Sequence, residues 1–97
     1  MYGSTVIWTF KSGTQATVSR AISEIFAPAL QQELGFRHYY RVRTGEDSCV
    51  TFIVYDTKEH AEAAFASMAA LVREHVGGLI EGMQRSAGEI EDERTAP

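Results

Sequence analysis

Polar chemistry is densest between Phe36 and Arg43, where the run Phe36-Arg37-His38-Tyr39-Tyr40-Arg41-Val42-Arg43 sets one imidazole and two phenols among three arginines. An imidazole changes charge near neutral pH and a phenol can donate or accept a hydrogen bond. His38 and Tyr40 are two positions apart and share one face of a strand, so they are candidates for acid–base or hydrogen-bonding work. Phe36 and Val42 fall on that same face, which alternation turns toward the core; Arg37, Tyr39, Arg41 and Arg43 then face a partner or solvent. The plainer roles are a hydrogen-bonded sheet histidine and a core aromatic. His75 is the third candidate. It follows Met68 by seven residues, Leu71 by four and Val72 by three, which places it on an apolar helix face where it is buried or lines a cavity. Trp8 is the only tryptophan; with Phe10, Tyr40 and Phe52 it can wall a cavity in which a planar ring stacks, and Phe65 and Met68 extend that wall from the helix. Core packing is the alternative role for Trp8.

Other chemistries lack their residues. The three histidines have no carboxylate at metal-ligand spacing, so no metal site is expected, and His60 falls in a first helical turn where exposure suits it. Cys49 is the single cysteine and has no disulfide partner within the chain; its apolar neighbours predict a small buried residue. Gly77-Gly78 follows a helix instead of preceding one, so it cannot cradle a phosphate, and no nucleotide or other cofactor is expected. No serine sits on a strand-to-helix elbow.

The elements that position these residues read in order. Thr5–Lys11 is β-branched and aromatic, with Val6, Trp8 and Phe10 on one face. Val18, Ile22, Ile25, Phe26 and Leu30 recur at helical spacing up to Gly35, with a kink or break expected at Ala27-Pro28 because proline lacks the backbone donor. Phe36–Arg43 and Cys49–Tyr55 form a hairpin around the polar turn Thr44–Ser48. Asp56 and Glu59 resemble a capping box, ahead of a second helix carrying Ala61, Ala64, Phe65, Met68, Leu71, Val72, His75 and Val76 and stopped by Gly77-Gly78. Met83–Ile90 is a last strand with Gly82 and Gly88 at bends, and residues 91–97 form a frayed tail. The order β-α-β-β-α-β predicts an α+β, ferredoxin-like fold, a four-stranded antiparallel sheet with two helices on one face.

The chain has 97 residues, 44% hydrophobic and 23% charged, which suits one small folded domain over about residues 5–90. Its net charge of −4 lies mostly in the tail, where Glu89, Glu91, Asp92 and Glu93 outnumber Arg94. Without a basic run no nucleic-acid partner is expected. No apolar run approaches the ~18 residues that span a bilayer, and Met1-Tyr2-Gly3-Ser4 starts no leader peptide, so a cytoplasmic location without membrane contact is expected. Both faces of the sheet look apolar: Ile7 opposes Trp8 on the first strand, and Ile53 and Tyr55 oppose Val50, Phe52 and Val54 on the third. With Ile7, Ile53 and Tyr55 assigned to the face without helices, that face needs a second copy of the chain, and a homodimer is expected.

Together, Val6-Ile7-Trp8-Thr9-Phe10-Lys11, the helix running into Leu34-Gly35-Phe36-Arg37-His38-Tyr39-Tyr40, the strand ending in Tyr55-Asp56-Thr57, and Ala61-Glu62-Ala63-Ala64-Phe65 resemble the antibiotic-biosynthesis-monooxygenase-type domains of the dimeric α/β-barrel superfamily. The resemblance implies a homodimer with a ligand cleft between helices and sheet. It implies either a cofactor-independent oxygenase acting on an aromatic or polycyclic molecule, with His38, His75 and Tyr40 as catalytic candidates, or a non-catalytic module that binds a small hydrophobic ligand or serves in stress. In the heme-degrading branch a second-helix histidine binds iron and a tryptophan precedes it; this chain has Phe65 at that earlier position, which argues against heme.

Overall fold

Thr5, Val6, Ile7 and Thr9 are stiff at χ1 and favour an extended chain, and they lie within the first strand, β1 (Tyr2–Phe10), of the computed structural model, which describes residues 1–97. A helical stretch follows in three consecutive pieces: α1 (Gln15–Ala21), a π-helical turn (Ile22–Phe26) and α2 (Ala27–Gln31). Pro28 explains the break, because it offers no N–H to the carbonyl of Glu24 and its ring crowds that carbonyl; the wider turn just before it relieves both. Then come β2 (Phe36–Gly45), β3 (Ser48–Tyr55), α3 (Lys58–Val76), a 3-10 turn (Gly77–Leu79) and β4 (Ile80–Glu89). The sheet is antiparallel in the order β2-β3-β1-β4, so the ferredoxin-like layout follows the sequence order of elements.

Local boundaries differ in instructive ways. Thr57 caps α3, its Oγ1 accepting from the His60 N–H at 3.1 Å, while Asp56 turns away to pair with Arg37 at 3.1 Å. His60 is half-buried, not exposed: its ring lies over Gly35, which has a φ of +79° and leaves no room for a Cβ. β4 begins at Ile80 because the chain re-enters the sheet through a bulge, Ile80 pairing with Phe10 and Gly82 with Thr9.

A second bulge decides which side chains meet the helices. Phe36 pairs with Tyr55 and His38 with Val54, so Arg37 is the extra residue and alternation slips by one position. Phe36 packs against the helix-side core of Tyr2, Leu30, Tyr55, Ala61 and Ala64, but beyond the bulge Tyr39 and Arg41 take that side. His38, Tyr40 and Val42 are turned to the uncovered face, the reverse of strict alternation. The assignment of β3 also inverts: Cys49, Thr51, Ile53 and Tyr55 look at the helices, and Val50 and Phe52 at the open side. Cross-strand register lines up Val42, Val50 and Ile7 in one row of the open face and Tyr40, Phe52 and Thr5 in the next.

Candidate functional site

Ala61 and Ala64 bring the start of α3 close onto Tyr2 and Tyr55, because neither side chain holds the helix off the sheet. Farther along, Phe65, Met68 and Val72 are larger and only half-buried, and beneath them the layers part around a cavity of 410 Å³. Its floor is Ser4, Val6, Trp8, Thr51, Ile53 and Tyr55, with Met83 from β4. A narrower space of 80 Å³ continues it toward α1, adding Phe10, Val18, Ile22, Phe26 and Tyr39; the two share Trp8, Thr51, Ile53, Val72 and Ile80. Fifteen residues line the larger space and eleven of them are hydrophobic, so a ring system entering it meets few polar groups to desolvate.

Those few polar groups are fixed. Trp8 Nε1 donates to Thr51 Oγ1 at 3.1 Å, which ties the indole to β3 and leaves the threonine proton free. Arg85 donates from Nε to Ser4 Oγ at 3.2 Å, pairs with Glu62 at 3.4 Å and lies 4.3 Å from the ring centre of Phe65. These three contacts lock the Phe65 wall between α3 and β4. Tyr39 and Tyr55 bring phenols to the lining, and no side-chain hydrogen bond within the protein uses either hydroxyl. Burial pushes the Tyr55 phenol up to about 12, with Arg85 pulling it down and Glu33 pushing it up by less. Burial likewise raises Tyr39, against the nearby cation of Arg41. Both are therefore neutral donors at pH 7 and suited to an oxygen that carries or gains negative charge.

The sequence-predicted residues divide accordingly. Trp8, Phe10, Phe65 and Met68 line the adjoining cavities. His38, Tyr40 and Phe52 do not: the bulge at Arg37 puts His38 and Tyr40 on the open face, where their rings stack 6.5 Å apart, and Phe52 lies there too, beside Gly3. His75 is exposed at the rim, its ring edge-on to Phe26 at 6.2 Å, because the inward stripe of α3 runs through Ala61, Ala64, Met68, Val72 and Val76. One residue of helix turns a side chain by about 100°, enough to take His75 off that stripe. Thr51, Ile53, Tyr55 and Arg85 are the lining or supporting residues that sequence reasoning missed; Tyr39 was among the groups able to donate a hydrogen bond, but strict alternation turned it outward and only the bulge brings it to the lining. No imidazole, carboxylate or reactive thiol lines the two cavities; burial pushes the Cys49 thiol up, with Arg41 opposing, which leaves it protonated and unreactive. No histidine or cysteine lines the space to ligate a heme iron; the only donors of that kind in its walls are the thioethers of Met68 and Met83 and the phenols of Tyr39 and Tyr55. No cluster of three or more His, Cys, Asp or Glu could hold a metal ion.

No family model and no curated protein matches the chain, whereas solved structures match along its whole length. A candidate antibiotic biosynthesis monooxygenase from Nitrosomonas europaea superposes with a TM-score of 0.81 at 16% identity, covering 95% of this chain and 100% of that one. A monooxygenase from the gene ActVA-Orf6 of Streptomyces coelicolor, in complex with nanaomycin D, gives 0.78 at 12% identity, covering 99% and 92%. An MhuD variant with two manganese protoporphyrin IX molecules per active site gives 0.80 at 13% identity, covering 99% and 100%. The chain therefore has the ferredoxin-like fold of the antibiotic-biosynthesis-monooxygenase-type proteins.

Proposed function

We propose that the protein is a homodimer that takes a planar aromatic or polycyclic molecule between helices and sheet and, as a cofactor-independent oxygenase, adds oxygen to it. The observation that carries the reading is the pair of adjoining apolar spaces floored by Trp8, with the phenol rings of Tyr39 and Tyr55 in their walls and neither hydroxyl used in a side-chain hydrogen bond. The nanaomycin D complex on the same fold supports a polycyclic occupant. For an anthrone-type substrate, loss of an acidic proton gives an enolate that passes an electron to dioxygen. The methylene becomes a carbonyl, one oxygen atom enters the product, and the other leaves as water with the two methylene hydrogens. Tyr39 and Tyr55 donate to the enolate oxygen, and the apolar walls keep bulk water from the radical pair.

The cavity supplies no general base, so only a substrate acidic enough to ionise near neutral pH can react. That same observation favours the second reading, a non-catalytic dimeric module that binds such a ligand. Oxygen uptake with 1,8-dihydroxyanthrone separates them. The oxygenase consumes one dioxygen per quinone formed, faster than the spontaneous reaction, and Tyr39→Phe and Tyr55→Phe each slow it. Saturable quenching of Trp8 with no acceleration identifies the binding module, and absence of both effects overturns the cavity as the site.

A further inference from the structure

We infer that the ligand is an aromatic acid whose carboxylate is held at a separate subsite between α1 and β2, where Arg41 supplies the charge. The inference rests on the cavity reading above and deepens it. A third space, of 530 Å³, lies between α1 and the β2–β3 hairpin; it adjoins the narrow end of the aromatic cavity, with Phe10, Val18 and Ile22 in the walls of both. Its polar lining includes Gln15, Ser19, Arg41 and Arg43.

Arg41 is the unusual group. The ion pairs of the chain are Arg37 with Asp56 and Arg85 with Glu62, so no carboxylate neutralises Arg41, and its Nη1 is buried without a hydrogen-bond partner. A guanidinium nitrogen buried in that state is expensive, and native structures rarely leave one so without a reason. Arg43 is less available, since its Nε already donates to the Gly45 carbonyl at 3.1 Å. The second buried orphan in the same lining is Gln15 Oε1, whose amide nitrogen donates to Ser19 Oγ at 3.3 Å. A half-turn of that amide lets the Ser19 hydroxyl donate to Oε1 and frees the NH2 as a second donor. A planar carboxylate matches the guanidinium fork, whereas a neutral alcohol leaves the charge unpaired. Phe10, Val18 and Ile22 are apolar, which calls for the ring of the same molecule beside the anion. Arg41 also sits next to Tyr39 along the helix side of β2, so a ligand anchored here passes the free phenol on its way to Trp8.

The test pairs 2-naphthoate with its neutral analogue 2-naphthylmethanol, titrated by calorimetry and by Trp8 fluorescence against the full chain, Arg41→Gln and Arg41→Lys, with circular dichroism as the check of folding. The full chain is expected to prefer the acid by about tenfold or more, the range of one charge-assisted contact. Arg41→Gln abolishes that preference without changing affinity for the alcohol, and Arg41→Lys keeps part of it. Equal binding of acid and alcohol by the full chain, or a preference that survives Arg41→Gln, overturns the carboxylate subsite and leaves the aromatic cavity intact. If neither molecule binds, both the subsite and the cavity reading are overturned.

Discussion

Replacing Val42 with Asp probes the open face of the sheet, where the homodimer proposal stands. Ile7 is 49% exposed, Tyr40 59% and Val42 58%, and the register sets Ile7 and Val42 on either side of Val50 with Tyr40 in the adjoining row. Complete burial of such a side chain contributes roughly 1.5–3 kcal/mol, so covering the exposed half of Val42 contributes about 1 kcal/mol. A two-fold interface counts each substitution twice, which makes about 2 kcal/mol from lost apolar area and roughly a 30-fold weaker dimer. The two introduced carboxylates add a further penalty for burial without a partner. The fold should survive, because Val42 lies on the edge strand β2 and its side chain faces solvent in the single chain. Sedimentation equilibrium at micromolar concentration is expected to give twice the 10.7 kDa chain mass for the natural sequence and a shift toward the single mass for Val42→Asp, with unchanged circular dichroism. A natural chain that sediments as a single, fully soluble copy refutes the reasoning, as does a variant dimer of undiminished affinity.

Gly35→Ala should lower the unfolding free energy by about 2 kcal/mol or more, since it combines a left-handed backbone with a Cβ driven into the His60 ring; urea denaturation measures it, and adding His60→Ala should recover the steric part. Tyr55 keeps its proton up to about 12 in the folded state against 10.0 for an unperturbed phenol, so the unfolded chain loses that proton first and stability falls as pH rises from 10 toward 12. Urea midpoints at pH 8, 10 and 11 should fall in that order, less steeply for Tyr55→Phe. Residues 91–97 are exposed and outside every element, so deleting 92–97 should leave the thermal midpoint within a few degrees and the oligomeric state unchanged.

Element order was legible because each segment carries its own period: Thr5 to Phe10 alternates, and Ala61 to Val76 repeats near 3.6. The broken helix was legible too, since Pro28 breaks the hydrogen-bond pattern wherever the helix packs. Side-chain direction was not. β3 is apolar at Val50, Phe52 and Val54 and also at Cys49, Ile53 and Tyr55, so alternation gives no preference between its faces. β2 did have a readable anchor in Phe36, which faces the helices, but the bulge at Arg37 reverses every side chain beyond it and no residue type there announces the bulge. This one slip exchanged Tyr40 for Tyr39 and brought Arg41 into the interior. His75 was misplaced more simply: over the 19 residues of α3 the apolar stripe is broad enough to admit two neighbouring tracks, and the sheet meets the one ending in Val76.

The most direct measurement of the central claim is Trp8 fluorescence titrated with 1,8-dihydroxyanthrone under argon, comparing the natural chain with Ala69→Phe. Trp8 is the only tryptophan and lies on the floor of the cavity, while Ala69 lines its roof, so a phenyl ring there fills the space without touching the sheet hydrogen bonds. Saturable quenching with one ligand per protomer in the natural chain, and at least about tenfold weaker quenching in a folded Ala69→Phe protein, is the predicted result. No quenching in the natural chain, or quenching of equal affinity after the cavity is filled, contradicts the account.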